Sequence, residues 1–468
     1  MTRFSSPATV SGIARAPASK SSMQRAVACA VLASGDSVLR SPSLCADGRA
    51  ALAVAEALGA EVSIGTDGVE IRGIGFGRGP GGRDAPSAAA GNAAPASSAA
   101  PAAFAAPASP RILSCGESGL SLRMFTPIAA LFPGESILEA GGSLLSRPVT
   151  AIEEPLEGLG AGASTKGGFP PVRVRGPMRG GSVEVDAGAS SQFLTGLLIA
   201  LPLAPRDSVL SVPRLVSSGY VELTLRTMAA FGVSVGAVPG FSRFDIAGGR
   251  SYASRDFAVE GDWSGAAFLL VAGAIAGREG GRLSVEGLSL GSEQPDRAIM
   301  DALARSGARV ETETAPGGAS SIHVMRSTLR SFDFDATDCP DLFPPLAVLA
   351  ACCAGVTTIR GATRLRAKES DRATALREEL GKLGVGIEVE GDLMRVHGDP
   401  GRGAGGRVRE VPAGAGAPLR IDPRGDHRMA MAVAVLALAG GRAAEIEGAE
   451  CVSKSWPSFF EDLEALKG

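Results

Sequence analysis

Apolar and polar positions in this chain follow two rhythms that alternate at regular intervals. A run with helical spacing stops at a small residue, and two short runs alternating with period two follow. Residues 52–58 stop at Gly59 and lead to Ala60-Glu61-Val62-Ser63-Ile64 and Val69-Glu70-Ile71. The order recurs at Gly160 with Val172-Arg173-Val174, and at Gly232 with Val233-Ser234-Val235 and Phe244-Asp245-Ile246. It returns at Gly307 with Ala308-Arg309-Val310 and Ile322-His323-Val324, and at Gly384 with Ile387-Glu388-Val389 and Met394-Arg395-Val396. Helical spacing predicts amphipathic helices, strict alternation predicts half-buried strands, and a glycine just past a helix is its usual cap. A sixth helix is predicted over 458–466.

From Gly160 onward the stops lie 72, 75 and 77 residues apart, but Gly59 and Gly160 are separated by 101. The excess falls in a Gly/Ala/Pro/Ser stretch from about 77 to 110, whose composition cannot bury enough apolar surface to order itself. It is expected to be a disordered surface insertion without a catalytic role, and a smaller one is expected over about 399–418. The remainder predicts six α/β units of 70 to 80 residues, grouped three and three. A length of 468 residues also exceeds one ordinary core, which points to two domains of roughly 200 residues.

With 45% hydrophobic and 20% charged residues the chain is globular, and a net charge of −3 gives no support for nucleic acid or an anionic membrane as partner. Any affinity for anions must therefore be local. Cys29, Cys45, Cys115, Cys339, Cys352, Cys353 and Cys451 form no Cys-x-x-Cys pair and no zinc spacing with histidine. Reduced thiols, no metal and no cofactor are expected. The longest apolar runs, such as 193–204, are broken by Pro202 and fall short of the ~20 residues that span a bilayer. A cytoplasmic location is expected.

Local cations are unevenly written. Forty arginines stand against six lysines, yet Lys20, Lys368 and Lys454 each sit in a short polar string beside turn residues. Lysine offers a compact ammonium whose pKa can fall far enough to move a proton, which arginine does not. The densest string is Lys368-Glu369-Ser370-Asp371-Arg372. On a helix Lys368 and Arg372 would share a face, and an arginine three residues from Glu369 would keep that carboxylate ionised. Such a cluster suits an anionic substrate that also exchanges a proton, although a solvated salt-bridge ladder is the plainer reading.

Three helix starts carry hydroxyls with a cation or amide: Pro17-Ala18-Ser19-Lys20-Ser21-Ser22-Met23-Gln24-Arg25 before a helix over 26–33, Gly116 to Arg123, and Ala189-Ser190-Ser191-Gln192 before 193–201. Free N–H groups and the positive end of the dipole make such starts anion sites, while serine is also an ordinary N-cap. Arg147-Pro148, Gly425-Asp426-His427-Arg428-Met429-Ala430 and Lys454 add cations at turns. His427 beside Asp426 also reads as a helix cap.

Taken together, these strings resemble the 5-enolpyruvylshikimate-3-phosphate (EPSP) synthase family almost from end to end. Leu215-Val216-Ser217 with Tyr220, Glu260-Gly261-Asp262 and Pro340-Asp341 belong to the same match. The resemblance implies a two-domain enolpyruvyl transferase fold of α/β (α+β) class, an inside-out α/β barrel of six βαββαβ units. It places 1–17 plus 258–468 in one lobe and 18–257, with the insertion at 77–110, in the other.

It also implies transfer of the enolpyruvyl group of phosphoenolpyruvate to the 5-hydroxyl of shikimate 3-phosphate by addition and elimination, in a monomer that needs only these small molecules. Lys20, Ser21, Arg25, Ser190, Ser191, Gln192, Ser217, Tyr220, Asp341 and Lys368 are the implied shikimate 3-phosphate contacts. Lys20, Gly119, Arg147, Gln192, Arg372, Arg428 and Lys454 are the implied phosphoenolpyruvate contacts. Asp341 would take the hydroxyl proton, Glu369 would move a proton on and off the methylene carbon, and Lys20 and Lys454 complete the catalytic set, Lys454 protonating the leaving phosphate. Cations drawn from two domains would make closure depend on both substrates.

The chain departs from the family's pattern at Glu117 and Arg364, where asparagine is usual, and at Ala18, where glycine is common. Glu117 is expected to add negative charge near the phosphoenolpyruvate pocket, with weaker binding or an altered inhibitor response as the consequences. Two other readings share the fold: an enolpyruvyl transferase acting on UDP-N-acetylglucosamine, for which Cys115 lies close to the mobile loop, and a non-catalytic protein that binds phosphorylated metabolites.

Overall fold

The computed structural model describes residues 1–76, 106–315, 318–366, 368–402, 417–440 and 442–468. Residues 77–105 of the expected insertion, 403–416 of the smaller one, and Ala367 lie outside the described residues. The chain divides into two compact units. The first contains Met1–Lys20, Ser43–Asp47 and Val259–Gly468, and the second contains Ser21–Pro42 and Gly48–Ala258.

One sheet plan is repeated. A strand runs parallel to the next, and a hairpin then adds two antiparallel strands. In the second unit Asp256–Ala258 lies parallel to Ser34–Arg40, followed by Val69–Ile74 and Glu61–Ile64. Arg111–Ser114 lies parallel to Gly134–Glu139, followed by Phe169–Gly176 and Gly162–Lys166. Ser182–Glu184 lies parallel to Ser208–Ser211, followed by Arg243–Ile246 and Gly236–Ala237. The first unit repeats the plan with Gly12–Arg15, Leu283–Leu288, Ser320–Met325 and Arg309–Thr314, and again with Asp333–Asp335, Gly355–Arg360, Leu393–Gly398 and Gly386–Glu390. Its last sheet joins Leu419–Ile421 and Ala444–Ile446 to Arg3–Ser5 from the chain's start.

Each repeat also supplies one central helix: α1 (Lys20–Leu32), α2 (Gly119–Ala129), α3 (Gln192–Ala200), α4 (Trp263–Ala276), α5 (Phe343–Ala351) and α6 (His427–Ala439). A helix that is apolar all round must be buried. All of α4 and α5 is indeed buried, and α4, α5 and α6 pack on one another to form the first unit's core. In the second unit α2 packs on α3 so closely that a Cβ on Gly196 would stand 2.3 Å from the Met124 carbonyl oxygen. The outer helices are one-sided, as in Ile299–Ser306, which buries Ile299, Ala302, Leu303 and Ser306. That helix ends at Gly307 with φ of 81°, in the left-handed region where glycine carries no steric cost.

Three sequence expectations shift. The first helix begins at Lys20, not near 26, because Met23, Ala26 and Val27 already continue the buried stripe. Lys368 to Asp371 precede the helix Arg372–Ala375, since the Asp371 side chain caps it by accepting from the Thr374 N–H; Lys368 and Arg372 therefore do not share a helical face. Residues 233–235 form no strand, because the Val233 N–H returns to the Met228 carbonyl to close the preceding helix, and the strand is Gly236–Ala237. Among the described residues no helix is long and apolar enough to cross a membrane.

Where the return strands end they cross the C-termini of central helices or the turns just beyond them, and four such crossings use glycine. A Cβ on Gly73 would lie 2.2 Å from the Ala33 oxygen, on Gly176 2.3 Å from the Ala130 oxygen, on Gly248 2.5 Å from the Arg206 oxygen, and on Gly398 2.2 Å from the Cys353 oxygen. Backbone carbonyls cannot swing away as side chains do. Gly398→Ala is therefore expected to lower stability by at least roughly 1–3 kcal/mol in a denaturant titration. Gly381→Ala, where an added Cβ meets nothing within 4 Å, should be neutral or slightly stabilising.

Candidate active site

In the first unit, the polar ends of the central elements bring cations and carboxylates together. Arg372 is fully buried, and its guanidinium donates to three carboxylates. Nη1 reaches Asp341 Oδ1 at 3.0 Å, Nη2 reaches Glu369 Oε2 at 2.7 Å, and Nε reaches Asp426 Oδ2 at 2.9 Å. Asp426 is also the N-cap of α6, accepting from the Arg428 N–H at 3.0 Å. Asp341 lies in the short turn Pro340–Leu342 that leads into α5. Besides Arg372 it pairs with Lys368 Nζ at 3.3 Å and with Arg428 Nη2 at 3.1 Å. Burial disfavours its charge, but Arg428, Lys368 and Arg372 outweigh burial and hold the carboxyl well below its ordinary pKa.

Arg428 is set by its neighbours. Its Nη1 donates to His427 Nε2 at 2.9 Å, so that nitrogen accepts and carries no proton. Burial, then the charges of Arg428 and Lys20, push the His427 pKa well below its usual value, and the imidazole stays neutral. The Nε–H of Arg428 is buried and has no hydrogen-bond partner among the described residues. Lys20, at the start of α1, is tied to Asp47 Oδ2 at 2.7 Å with both side chains mostly buried. Burial pulls the Lys20 ammonium down, yet Asp47 and the other nearby acids more than offset it and raise its pKa. The expectation of a lysine ready to give up a proton therefore does not hold for Lys20. It holds in direction for Lys368, which burial lowers. Lys454 Nζ donates to the Gly425 carbonyl at 3.1 Å.

The second unit contains a different cation environment. Arg25 is buried, and its hydrogen bonds go to neutral oxygens: Thr224 Oγ1 at 2.9 Å, the Ser21 carbonyl at 2.8 Å, the Tyr220 carbonyl at 3.2 Å and Thr195 Oγ1 at 3.4 Å. The Tyr220 ring lies 5.5 Å from its guanidinium carbon. Burial lowers the Arg25 pKa to about 10. A buried guanidinium held by neutral dipoles is electrostatically poised for an anion. Ser217 holds the left-handed conformation, φ 57° and ψ 48°, at the start of the helix Ser218–Ala230. Ser191 is buried just before α3, and Ser190 Oγ accepts from the Gln192 N–H at 3.3 Å.

Gln192 Oε1 accepts from Arg123 Nη1 at 3.3 Å, and Arg123 Nη2 donates to the Pro148 carbonyl at 2.8 Å. Gly119 opens α2 directly beneath the guanidinium of Arg147; a Cβ there would stand 3.0 Å from Arg147 Nη1. Glu117 is anchored in this region by Ser143. Its carboxylate accepts from the Ser143 N–H at 3.3 Å and from Ser143 Oγ at 3.4 Å, at the start of the Gly142–Ser146 turn that ends at Arg147. Arg364 donates to the Thr337 carbonyl at 2.7 Å.

Thus Lys20, Asp341, Lys368, Glu369, Arg372, Arg428 and Lys454 belong to the first unit, while Ser21, Arg25, Gly119, Arg147, Ser190, Ser191, Gln192, Ser217 and Tyr220 belong to the second. Sequence reasoning missed Asp47, Thr195, Thr224 and Asp296. Asp296 is fully buried, accepts from Ser264 Oγ, and has its pKa raised to about 6 by burial and by Asp341. The only available signal for it was an acid beside Gln294, one of three glutamines in the chain.

A family model described as EPSP synthase (3-phosphoshikimate 1-carboxyvinyltransferase) matches residues 4–463. The chain belongs to the EPSP synthase family. A 3-phosphoshikimate 1-carboxyvinyltransferase of Aeropyrum pernix is 39% identical over 99% of this chain and 96% of the relative. One of Halobacterium salinarum is 37% identical over 98% and 97%. The solved EPSP synthase of Acinetobacter baumannii superimposes with a TM-score of 0.77 at 26% identity, covering 100% of this chain and 98% of the other. The two-unit mixed α/β architecture is that of this family.

The buried neutral His427 gives a pH signature. Its folded pKa lies below its unfolded value, so the unfolded chain binds more protons and stability rises with pH through that window. Stability should fall as pH drops below about 6.5, the ordinary histidine value. The Asp341 contribution is present above about 3.8 and is lost only in stronger acid. Melting temperatures measured from pH 8 to 5 should decline less steeply in His427→Gln than in the parent; parallel profiles would contradict the assignment.

Proposed function

We propose that the chain transfers the enolpyruvyl group of phosphoenolpyruvate to the 5-hydroxyl of shikimate 3-phosphate and releases inorganic phosphate, in the pathway to chorismate and the aromatic amino acids. The observation that carries the reading is the cluster around Asp341: three cations within 3.3 Å of one carboxylate, with a second carboxylate, Glu369, on the same arginine. Addition to an enol requires a proton at C3, a nucleophile at C2 and cations over the carboxylate and phosphate. Glu369, entering the reaction as the carboxylic acid, supplies the proton to C3. Asp341 accepts the proton of the 5-hydroxyl, and the oxygen's electron pair forms the new bond to C2. In the elimination Glu369 takes a proton back from C3, the C2–O bond to phosphate breaks, and Lys454 protonates the departing phosphate. The hydroxyl proton is thereby balanced by the one that leaves with phosphate.

Lys20, Arg147, Gln192, Arg372, Arg428 and Lys454 serve the phosphoenolpyruvate anion, with Gly119 leaving space beside Arg147. Lys20, Ser21, Arg25, Ser190, Ser191, Gln192, Ser217, Tyr220, Asp341 and Lys368 serve shikimate 3-phosphate. The buried guanidinium of Arg25, lowered to about 10, supports a phosphate partner there. Small-molecule substrates suffice for this chemistry, in a cytoplasmic monomer. The UDP-N-acetylglucosamine alternative lacks the cysteine it would want: Cys115 is buried and its thiol is pushed up to about 12, which disfavours the reactive thiolate.

Phosphate release with both substrates tests the reading. Glu369→Gln and Lys20→Ala should each lose at least roughly 100-fold in kcat. Full activity in both variants would remove the assigned roles, and no turnover in the parent would remove the reaction. Gly119→Ala, by pressing on the Arg147 guanidinium, should raise the KM for phosphoenolpyruvate more than that for shikimate 3-phosphate.

A further inference from the structure

Arg428 presents its Nε–Nη2 edge, the side on which a guanidinium grips a carboxylate or phosphate with two parallel hydrogen bonds. In this structure only half of that edge is occupied. Nη2 holds Asp341 Oδ2 at 3.1 Å, and the neighbouring Nε–H, buried with the rest of a side chain only 4% exposed, has no hydrogen-bond partner among the described residues. The opposite nitrogen, Nη1, is fixed by neutral His427. An anion that engages the edge with both prongs needs Nη2, and Asp341 stands on it.

We propose that Asp341 is a built-in competitor for the incoming anion: a carboxylate or phosphate that takes the Nε–Nη2 edge of Arg428 displaces Asp341 and so releases it to act as a base. The inference rests on the reaction proposed above and adds an order to it. While Arg428, Lys368 and Arg372 surround Asp341, its carboxylate is firmly ionised but is a feeble proton acceptor. Removing one of three cations strengthens it. The groups acting on Asp341 are Lys368, Arg372, Arg428 and Arg364, which favour its charge, and Glu369 and Asp296, which oppose it. Glu369 and Asp296 oppose the charge of Asp341 independently of Arg428, so loss of the Arg428 contact shifts the balance around Asp341 toward proton uptake. The acceptor hydroxyl is then deprotonated only when phosphoenolpyruvate is already in place, and the O–H electron pair that Asp341 leaves behind goes directly to C2.

A competitor makes an unusual demand on mutagenesis: deleting the base must improve the binding of the other substrate. Asp341→Ala removes the competing carboxylate, and Asp341→Asn removes its charge while keeping its size and an acceptor for the Arg372 N–H, which guards against loss of fold. Calorimetry with phosphoenolpyruvate alone, and separately with inorganic phosphate, would be run on the parent and both variants at fixed ionic strength. Both variants should lose turnover yet bind at least one of these anions at least roughly threefold more tightly, as relief of a competing, partly buried ion pair requires. Unchanged or weaker binding of both anions in a folded variant would overturn the proposal. If the parent and variants bind phosphate but none binds phosphoenolpyruvate, the proposed reaction fails, while the phosphate comparison still decides whether Asp341 competes.

Discussion

The buried guanidinium of Arg372 is the constraint from which much of the first unit follows. It cannot sit at zero exposure without anions around it, and it gathers them from three separate pieces of chain: the turn before α5, the loop before its own helix, and the cap of α6. Breaking a buried charge pair by removing one partner typically costs about 3–5 kcal/mol, so these pieces are held together by a shared electrostatic need. Asp426 shows the economy of the arrangement, since one carboxylate both caps α6 and faces Arg372. The carboxylates of Asp341 and Glu369 are thereby fixed as a by-product of neutralising an arginine.

The repeat was legible because its signals are local. Glycine stops at Gly59, Gly160, Gly232, Gly307 and Gly384 all hold positive φ, and the alternating runs after them are strands except at 233–235. The site was legible only as a set of residue types. Which carboxylate faces which cation depends on contacts far apart in sequence: Lys20 with Asp47 across 27 residues, Arg372 with Asp426 across 54, Arg25 with Thr224 across 199. No periodicity encodes such pairs, and the polarity of a string does not reveal whether its lysine is held charged, as Lys20 is, or lowered by burial, as Lys368 is.

The two uses of positive charge are physically distinct. Lys20, Lys368, Arg372 and Arg428 of the first unit are answered by the protein's own carboxylates, which balances their charge locally. Arg25 in the second unit is answered by hydroxyls and carbonyls, which stabilise the charge without competing for it as strongly as a carboxylate would. Glu117 belongs to neither pattern. Its contact with Ser143 ties the start of α2 to the turn that ends at Arg147.

The glycine crossings have a consequence for how the chain tolerates extra length. At Gly73 and Gly398 the strand is sealed against the helix it follows, and within five residues each is succeeded by one of the two Gly/Ala/Pro-rich segments, 77–105 and 403–416. The glycine contacts that close each repeat are complete before these segments begin. The departure from the regular spacing of the glycine stops therefore lies beyond the contacts that hold the Val69–Ile74 strand on its helix, and that repeat keeps its packing independent of the chain that follows.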